Sequence, residues 1–260
     1  MLDFAVDLAR RAADVLMEHR RPLRRPDIVR RKSEQVRNLV TAADLESERL
    51  IVDEIRAAYP DHGIAAEEGS GGDTDREYVW HVDPLDGTVN FAHCHPFFSV
   101  SIGLARAGRP VLGVVHAPVL GETWAGSADG GSTLNGEPIR VSSTDSLIES
   151  VLATGFPYDR NESPNHNVDN FQTLIMLARG IRRAGAASLD FCYVAGGRLD
   201  GFWELSLSSW DMAAGAAILL GAGGEVTNFA GEPNILDAGN VVASNGRIHE
   251  AIRGTLAPLR

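Results

Sequence analysis

Between residues 2 and 19 apolar side chains return every three or four positions: Ala5, Leu8, Ala9, Ala12, Ala13 and Leu16. That period predicts an amphipathic helix, ended by Pro22 and Pro26. A second helix is expected after Thr41, reaching about Tyr59, with Leu45, Leu50, Ile51 and Ile55 on its inner face. Pro60-Asp61-His62-Gly63 is a turn signal. Ile64-Ala65-Ala66 then reads as a short buried strand that delivers Glu67 and Glu68 at its end. Tyr78-Val79-Trp80 with Val82 predicts another buried strand. Residues 98–104 and 111–116, joined by Ala107-Gly108-Arg109-Pro110, predict a hairpin. Residues 121–138, rich in Gly, Ser and Asn, predict a further hairpin with long turns. The first half therefore reads as two helices followed by a mainly antiparallel sheet.

From residue 151 the pattern alternates. A strand at 151–154 precedes a helix at 169–178, the run Ile181-Arg182-Arg183 and a helix at 188–195. Phe202-Trp203-Glu204 is strand-like, and Asp211 opens an Ala-rich helix that ends near Gly221-Ala222-Gly223-Gly224. A last strand at 240–244 precedes a terminal helix. Alternation of this kind implies a second sheet with helices packed on it. With no internal repeat and no low-complexity linker, a single domain with sub-domains at about 1–145 and 146–260 is expected, its cleft between them.

Composition narrows the class. The 260 residues are 44% hydrophobic and 23% charged, enough to bury a core without cross-links. Cys94 and Cys192 are too few for a disulfide framework and lack metal-ligand spacing, so a reducing cytoplasm is the expected compartment. Met1-Leu2-Asp3-Phe4 lacks the basic-then-apolar plan of a signal peptide, and no apolar run reaches the length of a membrane span. A formal charge of −11 argues against general affinity for nucleic acid. Arg20, Arg21, Arg24, Arg25, Arg30, Arg31 and Lys32 run against that balance. The plain reading is a solvated basic loop; a phosphate-steering loop or an RNA- or protein-contacting arm stays open.

The chemistry concentrates in Asp83-Pro84-Leu85-Asp86-Gly87-Thr88, two carboxylates locked by a proline at the end of a buried strand. Open α/β sheets keep their ligands at such strand ends, and carboxylates buried there cost free energy unless cations or donors pair with them. Glu67 stands at a neighbouring strand end and Asp211 at a helix start. Alone, each acid would read as a helix cap or a solvated turn, and Asp211 is a natural N-cap. Together they form an oxygen-only ligand set, which favours Mg²⁺ or Mn²⁺ over zinc. Such ions clamp a phosphate and activate water. The Gly87 and Thr88 amides, at an expected helix start, suit phosphate oxygens.

The segment Trp80-His81-Val82-Asp83-Pro84-Leu85-Asp86-Gly87-Thr88-Val89-Asn90-Phe91 resembles the first signature of the inositol monophosphatase family, and Trp210-Asp211-Met212-Ala213-Ala214-Gly215 the second. Glu67-Glu68, Leu39-Val40-Thr41-Ala42-Ala43-Asp44 and Arg183-Ala184-Gly185 fall in the same order, so the likeness spans nearly the whole chain. It implies an α/β fold layered as an αβαβα sandwich, a homodimer and a cytoplasmic, lithium-sensitive phosphatase. It further implies Glu67, Asp83, Asp86, Asp211 and the Leu85 carbonyl as ligands for two or three magnesium ions, with manganese as a substitute. Thr88, hydrogen-bonded to Asp44, is implied to orient and help deprotonate the attacking water, with Glu67 acting through a metal. Asp86, Gly87, Thr88 and Asp211 also fall on the substrate side. Glu204 and the backbone at Gly185, Ala186 and Ala187 are implied contacts to polyol hydroxyls, a role that suits a carboxylate acceptor.

The activity so implied is Mg²⁺-dependent hydrolysis of myo-inositol monophosphate by direct attack of water, since the motif holds no nucleophilic Cys or His. Fructose 1,6-bisphosphate, histidinol phosphate or an adenosine 3′-phosphate is the alternative substrate. A regulatory RNA- or protein-binding role through residues 20–32 is the alternative class. Asn38 stands where relatives often carry Asp, one charge fewer near the metal loop, and Lys32 lies roughly where they carry a basic loop residue. His93-Cys94-His95 lacks the spacing of a zinc site and reads as structural. Cys192, Met176 and Met212 read as core; Trp203 and Trp210 read as flanking the substrate side, with core packing and ligand stacking equally open.

Overall fold

The computed structural model describes residues 1–20, 30–31, 39–40 and 42–259; Pro22, Pro26, Lys32, Asn38 and Thr41 lie outside them. Helix α1 (Leu2–Arg20) buries the six apolar positions that the period predicts, with Asp3 in its first turn and His19 and Arg20 in its last, matching the helix dipole. After it come β1 (Arg30–Arg31) and β2 (Leu39–Val40), a short antiparallel pair, and then α2 (Ala42–Ala58). Next are β3 (Gly63–Ala66), β4 (Tyr78–Asp86), α3 (Thr88–Ala92), β5 (Ser99–Arg106), β6 (Arg109–Ala117), β7 (Glu122–Ser127), β8 (Gly131–Leu134) and β9 (Glu137–Pro138). Strands β3 to β9 form a seven-stranded sheet in sequence order, with β3 parallel to β4 and the remaining pairs antiparallel.

A 3-10 turn at Leu147–Glu149 leads into β10 (Val151–Thr154), α4 (Val168–Leu177), β11 (Gly180–Arg182), α5 (Ala187–Ala195) and β12 (Gly201–Leu205). The chain closes with α6 (Ser209–Gly221), β13 (Glu225–Thr227), α7 (Ile235–Ala238), β14 (Asn240–Ser244) and α8 (His249–Arg253). The second sheet has five strands in the order β11-β10-β12-β14-β13. Strand β10 runs parallel to both β11 and β12, and β14 antiparallel to β12 and β13.

Five layers result. Helices α1 and α2 cover the outer face of the first sheet, α5 and α6 fill the space between the sheets, and α4 and α8 cover the far face of the second. Helix α6 is apolar on every side and buried from Met212 to Leu219, as a helix between two sheets must be. Its backbone lies directly on the first sheet. A Cβ at Gly113 would fall 2.1 Å from the Ala214 carbonyl oxygen, so only glycine fits there. Among the described residues no helix is long and apolar enough to cross a membrane.

Four sequence expectations need correction. Leu45 is 51% exposed, because the buried face of α2 is taken by Asp44, Ser47 and Glu48 with Ala43, Ile51, Val52 and Ile55. Met176 is 80% exposed; α4 presents Leu174 to the sheet instead. Residues 121–138 form three strands with tight turns, since Asn135 and Gly136 take φ of +53° and +87° and close a two-residue loop between Leu134 and Glu137. Ser208, not Asp211, is the N-cap of α6; Asp211 is its third residue. Trp203 is a core side chain whose Nε1 donates to Asn167 Oδ1 at 2.9 Å. Cys192 and Met212 are buried as expected.

Candidate functional site

The ends of β3, β4 and β12 and the starts of α3, α5 and α6 meet around a cleft of about 710 Å³. The first sheet supplies Glu67, Asp83, Leu85 and Asp86, with Gly87 and Thr88 following β4. The second half supplies Gly185, Ala186, Ala187, Glu204 and Asp211. All of these residues were expected at the site from sequence. Asp44 is fully buried behind them: Thr88 Oγ1 lies 3.4 Å from its Oδ1 and donates to the Leu85 carbonyl at 3.1 Å.

Local chemistry explains the shape of the motif. Pairing of β4 with β5 slips between Asp83 and Asp86, and such an irregularity re-aims side chains. The Leu85 amide donates to Asp83 Oδ1 at 2.9 Å, and Ser47 Oγ on α2 donates to the Pro84 carbonyl at 3.3 Å. Leu85 itself is buried and pins the turn to the core. Gly87 sits at φ +90°, where a Cβ would fall 3.0 Å from the Phe97 carbonyl oxygen. Glu67 follows β3 directly, and its amide donates to the Val82 carbonyl at 3.2 Å. Glu48 holds the next stretch by accepting from the Glu68 and Ser70 amides at 2.6 and 2.9 Å.

Asp86 reaches across to the other half of the molecule. Its carboxylate accepts from the Ala187 amide at 3.2 Å, the Ser188 amide at 2.8 Å and Ser188 Oγ at 2.5 Å. It therefore satisfies two of the free amides at the start of α5. Asn90 makes a second tie: its Nδ2 donates to the Phe97 carbonyl at 2.6 Å and to that of Ala184 at 2.9 Å. Asp211 closes a capping box, its Oδ2 accepting from the Ser208 amide at 2.7 Å. Glu204 on β12 lies against the bare backbone of Gly155, where a Cβ would come within 1.8 Å of its Oε1.

The electrostatics are one-sided. Burial, and then the charges of Glu67 and Asp86, push the carboxyls of Asp83 and Asp211 well above the usual range. Burial raises Asp86 to about 6 against the opposing pull of the Ser188 hydrogen bonds. Glu204 is raised to about 8 by burial, with Arg183 pulling back and Asp86 pushing further. Burial and the charges of Asp211 and Glu67 lift the Tyr158 phenol to about 12. Carboxyls that raise one another's pKa are stabilised by a cation, and oxygen donors fit a hard divalent one. Among the described residues no three His, Cys, Asp or Glu side chains already converge as a ligand cluster; the acids face the cleft side by side.

Sequence reading missed several neighbours. Ser188 as partner of Asp86, and Asp190, Tyr158 and Arg160 on the cleft wall, carried no local signal beyond their polarity; Asn90 and Arg183 stand in quoted motifs but were given no role there. His93 reaches the wall, whereas Cys94 is exposed at φ +58°. Trp210 lines the cleft, as expected of one of the two tryptophans placed there.

Comparison with known proteins agrees with this geometry. The "Nus factor SuhB" of Pseudomonas aeruginosa is 42% identical over 99% of this chain and 96% of its own. The "Inositol-1-monophosphatase" of Synechocystis is 45% identical over 85% of this chain and 77% of its own. The solved inositol monophosphatase of Anabaena superposes with a TM-score of 0.88 at 42% identity, covering 98% of this chain and 94% of that one. The model described as "Inositol monophosphatase family" matches residues 1–259, and the chain belongs to that family of phosphatases.

Proposed function

We propose that the protein is a Mg²⁺-dependent phosphomonoesterase that hydrolyses myo-inositol monophosphate to inositol and phosphate. The observation that carries this reading is the meeting of Glu67, Asp83, Asp86 and Asp211, drawn from both halves, on one cleft where burial and the charges of Glu67 and Asp86 raise the carboxyls of Asp83 and Asp211. Glu67, Asp83, Asp86, Asp211 and the Leu85 carbonyl would hold magnesium, with manganese a fitting substitute. When bound, the cations neutralise the phosphate charge and acidify water.

The protein's own groups do the rest. Thr88 Oγ1, held between Leu85 and Asp44, orients the attacking water and passes its proton toward the buried Asp44. The Gly87 and Thr88 amides and the backbone at Gly185, Ala186 and Ala187 bound the phosphate and polyol positions on the cleft wall. Glu204, kept largely protonated near neutral pH, can both donate to and accept from a polyol hydroxyl. A homodimer and inhibition by lithium belong to the same reading.

Fructose 1,6-bisphosphate, histidinol phosphate and adenosine 3′-phosphates would use the same machinery. A panel of these esters with inositol 1-phosphate, assayed for phosphate release with and without Mg²⁺, decides among them. Preferential Mg²⁺-dependent turnover of inositol 1-phosphate is expected, and preference for another ester would move the substrate. Relatives that carry the name Nus factor favour testing a second, regulatory role through the basic residues 20–32, most of which lie outside the described residues. RNA affinity that falls steeply with salt would support it.

A further inference from the structure

Asp190 is a buried carboxyl that the chemistry above does not use. It lies in the first turn of α5, is 2% exposed, and forms part of the cleft wall. Among the described residues its side chain makes no hydrogen bond and no ion pair. Its own amide is spent on the Ala186 carbonyl at 3.1 Å. The donors that would ordinarily serve an acid at this helix start, the Ala187 and Ser188 amides and Ser188 Oγ, are taken by Asp86.

Other buried acids behave differently. Asp200 accepts from Ser142 Oγ at 2.6 Å and the Val151 amide at 2.7 Å, and Glu48 accepts from two amides. Buried polar groups in native proteins have partners; the Asp190 oxygens meet the cleft instead of a protein donor, so what fills the cleft must serve them. Asp190 faces the cleft, where the charges of Glu204, Asp86 and Arg183 act on it. It stands three residues beyond Ala187, about 4.5 Å further along the helix axis. That places it within the first turn of α5 from the backbone that Asp86 holds, on the same cleft wall as Glu204, the residue read above as meeting the polyol.

We propose that Asp190 is a further substrate-contacting residue, whose carboxyl completes its hydrogen bonding with a hydroxyl of the polyol beside the one met by Glu204. The proposal rests on the functional reading above and sharpens its substrate class: a hydroxylated alcohol with at least two hydroxyls turned toward α5 and β12. An ester whose alcohol lacks them leaves Asp190 without a partner and gains less from the site.

The test compares wild type, Asp190→Ala and Asp190→Asn on inositol 1-phosphate and on p-nitrophenyl phosphate, whose leaving group has no second hydroxyl. The readout is the ratio of kcat/KM for the two esters. In Asp190→Ala that ratio falls about tenfold, mostly through KM for inositol 1-phosphate, as loss of one such hydrogen bond implies. Asp190→Asn, nearly isosteric and still an acceptor, lowers it about threefold and carries the test if the alanine variant does not fold. An unchanged ratio in a folded variant, whether both activities persist or both fall together, overturns the assignment. Should wild type cleave p-nitrophenyl phosphate but not inositol 1-phosphate, the functional reading fails and the Asp190 contact falls with it. An unchanged ratio beside good wild-type turnover of inositol 1-phosphate overturns the contact alone.

Discussion

Replacing Asp83 with asparagine is expected to abolish turnover and, in metal-free protein, to stabilise the fold. Asp83 is 2% exposed and shares its surroundings with Glu67, Asp86 and Asp211. Burial first, and then those charges, hold its pKa well above 3.8. A carboxyl raised in this way supports the fold below its unfolded pKa and loses that support as pH rises through the folded value. Neighbouring Asp86 shows the same effect. Its pKa of about 6 against 3.8 is a gap of about 2 pH units, or about 3 kcal/mol lost above pH 6. Asparagine at 83 has nearly the same shape; its Oδ1 can keep the Leu85 amide and its Nδ2 can donate to Glu67. Each 1 kcal/mol gained raises the Tm by about 2–4 °C in a chain of this size. The assay is thermal unfolding in EDTA at pH 8, repeated at lower pH and with Mg²⁺. The advantage of Asp83→Asn should shrink toward acid pH, where wild type takes up the proton, and reverse with Mg²⁺, which stabilises only the form that binds it. A variant that melts below wild type in EDTA at pH 8 would refute the reasoning.

Three further outcomes are expected. Gly113→Ala sets a methyl 2.1 Å from the Ala214 carbonyl oxygen and should cost about 3 kcal/mol, measured by urea unfolding; a loss near zero would mean that α6 shifts freely on the sheet. Thr88→Ala should lower kcat about a hundredfold while leaving KM within about threefold, since the hydroxyl serves the water and not the polyol. His249 is fully buried between Thr227 Oγ1 at 2.9 Å and Ser244 Oγ at 3.0 Å, and burial lowers its pKa although Glu225 pulls it back. Its neutral form is the folded one, so the unfolded chain binds more protons and stability falls as pH drops below about 6.5. Urea unfolding between pH 5 and 8 should show wild type losing stability relative to His249→Gln as pH falls, a difference in which the opposite slope of the cleft acids cancels.

How far the sequence could be read follows from what each residue answers to. The buried stripe of α1 was legible because all six of its positions serve packing alone. The acids were legible because strand ends, a proline lock and long ordered signatures coincide at Glu67, Asp83, Asp86 and Asp211. Helix α2 misled for a physical reason. Its inner face is polar because Asp44, Ser47 and Glu48 brace Thr88, Pro84 and the segment after Glu67, which leaves Leu45 outside. The Ser188 bond to Asp86 and the Asn90 bond to Ala184 join positions about a hundred residues apart, and no local period reports such pairings. Asp190 was invisible for a related reason: what marks it is that Asp86 takes the donors around it.

The most direct test of the central claim is phosphate release from inositol 1-phosphate by wild type and Asp211→Asn, each with Mg²⁺ and with EDTA. The account predicts turnover by wild type with Mg²⁺, none above background in EDTA, and none from the variant in either condition. Turnover that survives EDTA, or a folded Asp211→Asn variant with activity near wild type, would contradict it.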